Sequence, residues 1–187
     1  MKRVRKRHIA GALSVLITLI AVILTSNPQA RSSLVNSQPG LYPIVHINDG
    51  DTIVVKINSK RETIRLIGVD TPEVKDPRKP VQCFGEAASA HTKSILAGTS
   101  VRLVSDPLDS DRDKYGRLLR YVLLPDGSDY NASLIRDGYA FAYVVFPYDR
   151  LDSYRKLETE ARQANRGLWA GCGVDDSTRI KQTTSTK

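Results

Sequence analysis

Three short segments gather acids and arginines at spacings that suit chemistry on a phosphate ester. The first is Asp49-Gly50-Asp51-Thr52. Asp-Gly is a strong hairpin-turn signal, and a turn is one reading. A turn does not call for Asp51, an acid entering a strand; the other reading makes it a hard oxygen ligand for a divalent cation. The second runs Arg65-Leu66-Ile67-Gly68-Val69-Asp70-Thr71-Pro72-Glu73. In a regular strand Arg65 shares a face with Ile67 and Val69. It reads either as a rim arginine whose stem covers apolar surface or as a cation placed for function. Asp70 and Glu73 flank a Thr-Pro turn, which is ordinary turn chemistry. They also set two carboxylates beside a guanidinium, one to bind metal and one to orient or deprotonate water. The third is Asp113-Lys114-Tyr115-Gly116-Arg117. It is either a solvated loop or the carrier of a second guanidinium, and arginine suits bidentate phosphate binding better than lysine. Together these make a cation site, two guanidinium clamps and a spare carboxylate. Phosphodiester hydrolysis needs such parts, because charge at five-coordinate phosphorus must be neutralised, water activated and a leaving oxygen stabilised.

The elements that must position these residues can be read from hydrophobic pattern and turn residues. Residues 41–47 are apolar and β-branched and read as a strand, with 52–57 as the hairpin partner. A third strand is expected over 62–69, and a proline-bearing loop over 70–82. Residues 86–96 have helix composition, closed by Gly98. Two further strands are expected at 101–104 and 118–124, joined by an Asp-rich stretch. Asn131 is placed to cap a short helix through Arg136, ended by Gly138. Leu151, Tyr154, Leu157, Ala161 and Ala164 recur three or four apart, which predicts an amphipathic last helix. Five short strands with a helix between the third and fourth predict a small closed barrel of OB-fold architecture with helices, an α+β class. Regular strand–helix alternation is lacking, which argues against a doubly wound sheet.

The chain has 187 residues, 41% apolar and 26% charged, with a formal net charge of +8. Of its 28 bases, five lie at positions 2–7 and no acid lies in residues 1–30, so the rest of the chain carries only +3. The basic balance therefore belongs mostly to the N-terminus. There Lys2 to His8 precede a 16-residue apolar run at 9–24, the pattern of an export signal or a membrane anchor. Basic residues before the run place the remainder of the chain outside the cytoplasm. The expected organisation is a signal or anchor at 1–30, a polar linker at 31–40, a folded domain at 41–172 and a disordered tail at 173–187. Membrane contact is expected only through residues 9–26, if they are retained, and a monomer is the default. Export permits a disulfide between Cys83 and Cys172, the only two cysteines.

The segments Asp49–Thr52, Arg65–Glu73, 85–90, Asp113–Arg117 and Gly167-Leu168-Trp169 occur in one order over roughly two-thirds of the chain. In this they resemble the staphylococcal nuclease family. The resemblance implies a five-stranded OB barrel with three helices and a Ca2+-dependent phosphodiesterase acting on DNA and RNA, leaving 3′-phosphate ends. By position it implies Asp51, Asp70 and the Thr71 carbonyl as metal ligands and Arg65 and Arg117 as phosphate clamps. Glu73 would act on the attacking water, and Lys114, Tyr115 and Tyr143 would contact substrate. One position departs: Val145 stands where the family's reference enzyme has a second tyrosine. The alternative is a non-catalytic OB-fold module that binds nucleic acid at the cell surface; such a binder has no use for Asp51 and Glu73 beside phosphate. Asp109, Asp111 and Asp113 alternate as in an EF-hand loop, but Lys114 takes the required glycine position and Arg120 the closing glutamate. Asn131-Ala132-Ser133 is a formal glycosylation sequon.

Overall fold

The computed structural model describes residues 40–74 and 81–174. The expected N-terminal segment, the linker up to residue 39, Arg78 and Lys79 in the proline-bearing loop, and the tail from residue 175 lie outside the described residues. In chain order the elements are β1 (Tyr42–Ile47), β2 (Thr52–Ile57), β3 (Lys60–Leu66), β4 (Val69–Asp70), α1 (Gly85–Leu96), β5 (Ser100–Val104), β6 (Leu118–Leu123), α2 (Tyr130–Arg136), β7 (Phe141–Ala142), α3 (Leu151–Gln163) and α4 (Leu168–Gly171). Among the described helices none is long and apolar enough to cross a membrane.

Five strands close a barrel in the order β1-β2-β3-β6-β5. β3 and β6 run parallel; the other neighbours are antiparallel. β1 pairs with both β2 and β5, and its register slips between Ile44 and His46. Such a bulge bends a strand enough to serve two neighbours and close the barrel. Ile53, Val55, Ile64, Leu66, Val101, Leu103 and Val122 fill the interior and are essentially inaccessible. This is the OB-type barrel expected from the strand pattern, with four helices where three are expected; the fourth is the single turn α4, too short to show a period.

Two elements differ from expectation in ways that matter for the site. The third strand does not run through to Val69. It stops at Leu66, because Gly68 takes a φ of +71°. A Cβ there would lie 2.6 Å from the Tyr148 ring and 2.8 Å from Tyr154, so only glycine makes this turn. Beyond it, Val69–Asp70 pairs with Phe141–Ala142 as a separate two-stranded sheet. Arg65, Ile67 and Val69 therefore do not share one strand face. At α2 the cap is Asp129, whose side chain accepts from the Ala132 N–H at 3.1 Å. Asn131 lies one residue inside the helix and is wholly buried. Its Nδ2 donates to the carbonyls of Ile67 (2.9 Å) and Arg120 (3.3 Å), and its Oδ1 accepts from the Val122 N–H (3.0 Å). Asn131 thus fastens α2 to the Gly68 turn and to β6, and the sequon is closed to any modifying enzyme.

Helix α3 buries Tyr154, Glu158 and Ala161, while Ala164 is exposed beyond its end. Glu158 occupies a core position because its Oε1 accepts the Ala142 N–H at 3.3 Å. Cys83 and Cys172 form a disulfide, Cα–Cα 6.0 Å, across a separation of 89 residues. Phe141 and Leu168 pack beside it with Phe84 and Trp169.

Candidate active site

The β1–β2 turn, the end of β3 and the segment after β4 converge on Asp51. This carboxylate is 7% exposed. Its Oδ1 accepts from Thr52 Oγ1, and its Oδ2 accepts from both the amide and the hydroxyl of Thr71, each at 3.0 Å. The approach of Thr71 depends on Gly50, where a Cβ would lie 2.6 Å from Thr71 Cγ2. The Asp-Gly of the turn therefore does two jobs: it reverses the chain and leaves room for the residue that orients Asp51. Asp49 accepts the Asp51 amide at 3.2 Å. Burial, and next the charge of Asp51, push its carboxyl up to about 6.

Arg65 lies between the acids. Its Nη2 is 3.3 Å from Asp51 Oδ2 and 3.5 Å from Asp70 Oδ1. Its Nη1 donates to the carbonyls of Leu66 (2.9 Å) and Val69 (2.7 Å), the two ends of the Gly68 turn. The turn that breaks β3 thus fixes the guanidinium and brings Asp70 to it. Arg117 is held from β6's leading edge. Its Nε donates to Asp113 Oδ2 at 2.6 Å, and Asp113 Oδ1 accepts the amides of Tyr115 and Arg117. Burial pushes Asp113 up, but these bonds and the Arg117 charge outweigh it, so its carboxyl titrates below the ordinary 3.8.

A cavity of about 600 Å³ gathers most of the expected residues: Arg65, Asp70, Lys114, Tyr115, Arg117 and Tyr143 all line it. Asp51 and Thr71 are not in the lining; Asp51 reaches it through Arg65, and Thr71 is tied to Asp51. Glu73 is not in the lining either; its Oε1 accepts the Val74 amide at 2.8 Å. Phe146 is among the lining residues that had no sequence signal. Phe146 is 59% exposed and its ring centroid is 6.1 Å from that of Tyr143. It supplies an aromatic surface one residue after Val145, the position where the family tyrosine is missing. Its neighbours Val144, Val145 and Pro147 form no pattern that marks it.

The donor set fits a hard divalent cation. Asp51 and Asp70 both reach one guanidinium nitrogen, so a single cation can touch both. No group of three or more acidic, His or Cys side chains stands together among the described residues. Further ligands would then be backbone carbonyls or water, as oxygen-loving cations accept.

The family described as Staphylococcal nuclease homologue matches residues 63–171. The chain is 33% identical over 172 residues to the Thermonuclease of Staphylococcus hyicus, covering 91% of this chain and 99% of that one. It is 35% identical over 173 residues to the Thermonuclease of Staphylococcus intermedius, again covering 99% of it. It is 42% identical over 127 residues to Endonuclease YncB of Bacillus subtilis, where the match spans 67% of this chain and 59% of the relative.

Proposed function

The chain belongs to the staphylococcal nuclease family, and on that premise we propose that it is a calcium-dependent phosphodiesterase cutting DNA and RNA. Relatives named thermonuclease and endonuclease support nuclease activity as the general class. The finer reading rests on one observation: Arg65, paired to Asp51 and Asp70, and Arg117, tied to Asp113, line the same cavity.

In this reading Asp51, Asp70 and the Thr71 carbonyl would hold the cation, which would supply positive charge beside the phosphate. Arg65 and Arg117 grip the phosphate oxygens and stabilise charge as it grows on them. Asp113 holds Nε of Arg117, and the guanidinium lies over the Tyr115 ring, 5.4 Å from its centroid. Glu73 orients the attacking water and takes its proton. Lys114 and Tyr115 contact a neighbouring phosphate. Tyr143 and Phe146 offer ring faces to a base, a sequence-tolerant contact. Most of these groups address phosphate, which carries no base information, so little sequence preference is expected. Water attack on phosphorus breaks the bond to the 5′ oxygen, which leaves protonated, so the products are a 3′-phosphate and a 5′-hydroxyl.

The expected compartment is extracytoplasmic, secreted or held at the membrane through residues 9–26, with the chain acting as a monomer. The Cys83–Cys172 bond supports an oxidising environment. End analysis tests the reaction. Products made with calcium should accept a 5′-phosphate label directly and resist 3′ extension until treated with a phosphatase. Products that extend at once would contradict the proposed bond cleaved.

A further inference from the structure

The loop that begins with Glu73 is closed at its neck by one side chain. Gln82 is 5% exposed. Its Oε1 accepts the Glu73 amide at 2.5 Å, and its own amide donates to the Glu73 carbonyl at 2.9 Å. Gln82 thus binds both backbone polar groups of the residue proposed to act on water. It is itself anchored from behind: its carbonyl accepts the Gly85 amide at 3.0 Å at the start of α1. The next residue is Cys83, disulfide-bonded to Cys172. A rigid chain of contacts therefore runs from α4 and α1 through Gln82 to the backbone of Glu73.

The chemistry of Gln82 argues that the contact does more than stabilise the fold. Its Nε2 is buried with no partner among the described residues. A buried, unpaired donor costs stability, and an apolar side chain of the same size would avoid that cost. What an apolar side chain cannot do is accept the Glu73 amide. Catalytic groups lose rate steeply when displaced by about 1 Å, so the useful product of this bracket is the position of the Glu73 carboxylate.

Resting on the proposed role of Glu73, we infer that Gln82 is a positioning residue that sets turnover by fixing the Glu73 backbone. Gln82→Met removes the acceptor at nearly constant volume, Gln82→Glu keeps it, and both are combined with Glu73→Ala. Steady-state kinetics on single-stranded DNA are measured with the purified, oxidised full chain in calcium. Gln82→Met is expected to lower kcat by about 100-fold with little change in KM or melting temperature. Gln82→Glu is expected to retain the greater part of the activity. In the Glu73→Ala background Gln82→Met is expected to cost nothing further, because its route of action is gone. An equal loss in both backgrounds, or an unchanged kcat in the single variant, would overturn the inference. A fully active Glu73→Ala would instead overturn the reading of Glu73 itself. Should Gln82→Met not fold, hydrogen exchange at the Glu73 amide of the unaltered protein carries the test. Slowed exchange supports the bracket; exchange at the rate of an open loop rejects it.

Discussion

Arg65 pairs with both acids that a cation would need, so its guanidinium and a bound cation would draw on the same oxygens. Both ion pairs are at 3.3–3.5 Å, longer than a tight charge-assisted bond of about 2.7–2.9 Å. Arg65→Ala should therefore bind calcium at least as tightly as the unaltered protein, by isothermal titration. Its kcat should nevertheless fall by about 10²–10³-fold, the usual cost of losing one charge-stabilising donor. Weaker calcium binding in the variant would mean that Arg65 organises the acids rather than competing for them. Asp113 acts on the other arginine. Its carboxyl is lowered in the fold, so its stabilising contribution is present above the ordinary 3.8 and is lost as pH falls through its lower native value. Asp113→Asn should lose that contribution at neutral pH and show a shallower fall in melting temperature below pH 4. Because it frees Nε of Arg117 as well, turnover should fall in the same variant.

At the scale of elements, the barrel is legible in the sequence because its strands are long enough to show alternation and its turns carry glycine, asparagine and aspartate. The two-residue strands β4 and β7 are not, since no period fits in two residues. They decide where Asp70 goes. The same holds for Gln82, a lone amide in a proline-bearing loop, and for Phe146, one aromatic in a short apolar stretch. The acids and arginines are recognisable by type and order; that Arg65 bridges Asp51 and Asp70 depends on the Gly68 turn and on Tyr148 and Tyr154 behind it. Asn131 sits where caps occur, but Asp129 takes that role and the inner face of α2 claims Asn131. Asn131→Ala should destabilise the protein by about 3–5 kcal/mol in urea unfolding, because the Ile67 carbonyl and the Val122 amide lose this partner and the Arg120 carbonyl loses one of two. A loss of only about 1 kcal/mol would be the value of a cap, and would contradict the buried bracket.

For the molecule as a whole, the disulfide ties the chain end to the segment before α1, and its effect is expected on the unfolded chain more than on the site. Closing a separation of 89 residues is worth about 4–5 kcal/mol in the chain-entropy model. Cys172→Ser should lose about that amount in guanidinium unfolding. Through the Gln82 contact it should lower turnover by a smaller factor than Gln82→Met does. Barrel and site then form one account: a disulfide-stapled barrel presents acids and arginines to phosphate. The most direct test is digestion of single-stranded DNA by the purified full chain in calcium, in chelator and with Glu73→Ala. The account predicts cleavage that requires calcium and falls by about 10²–10⁴-fold in the variant. Cleavage that persists in chelator, or a Glu73→Ala protein as fast as the unaltered one, would contradict it.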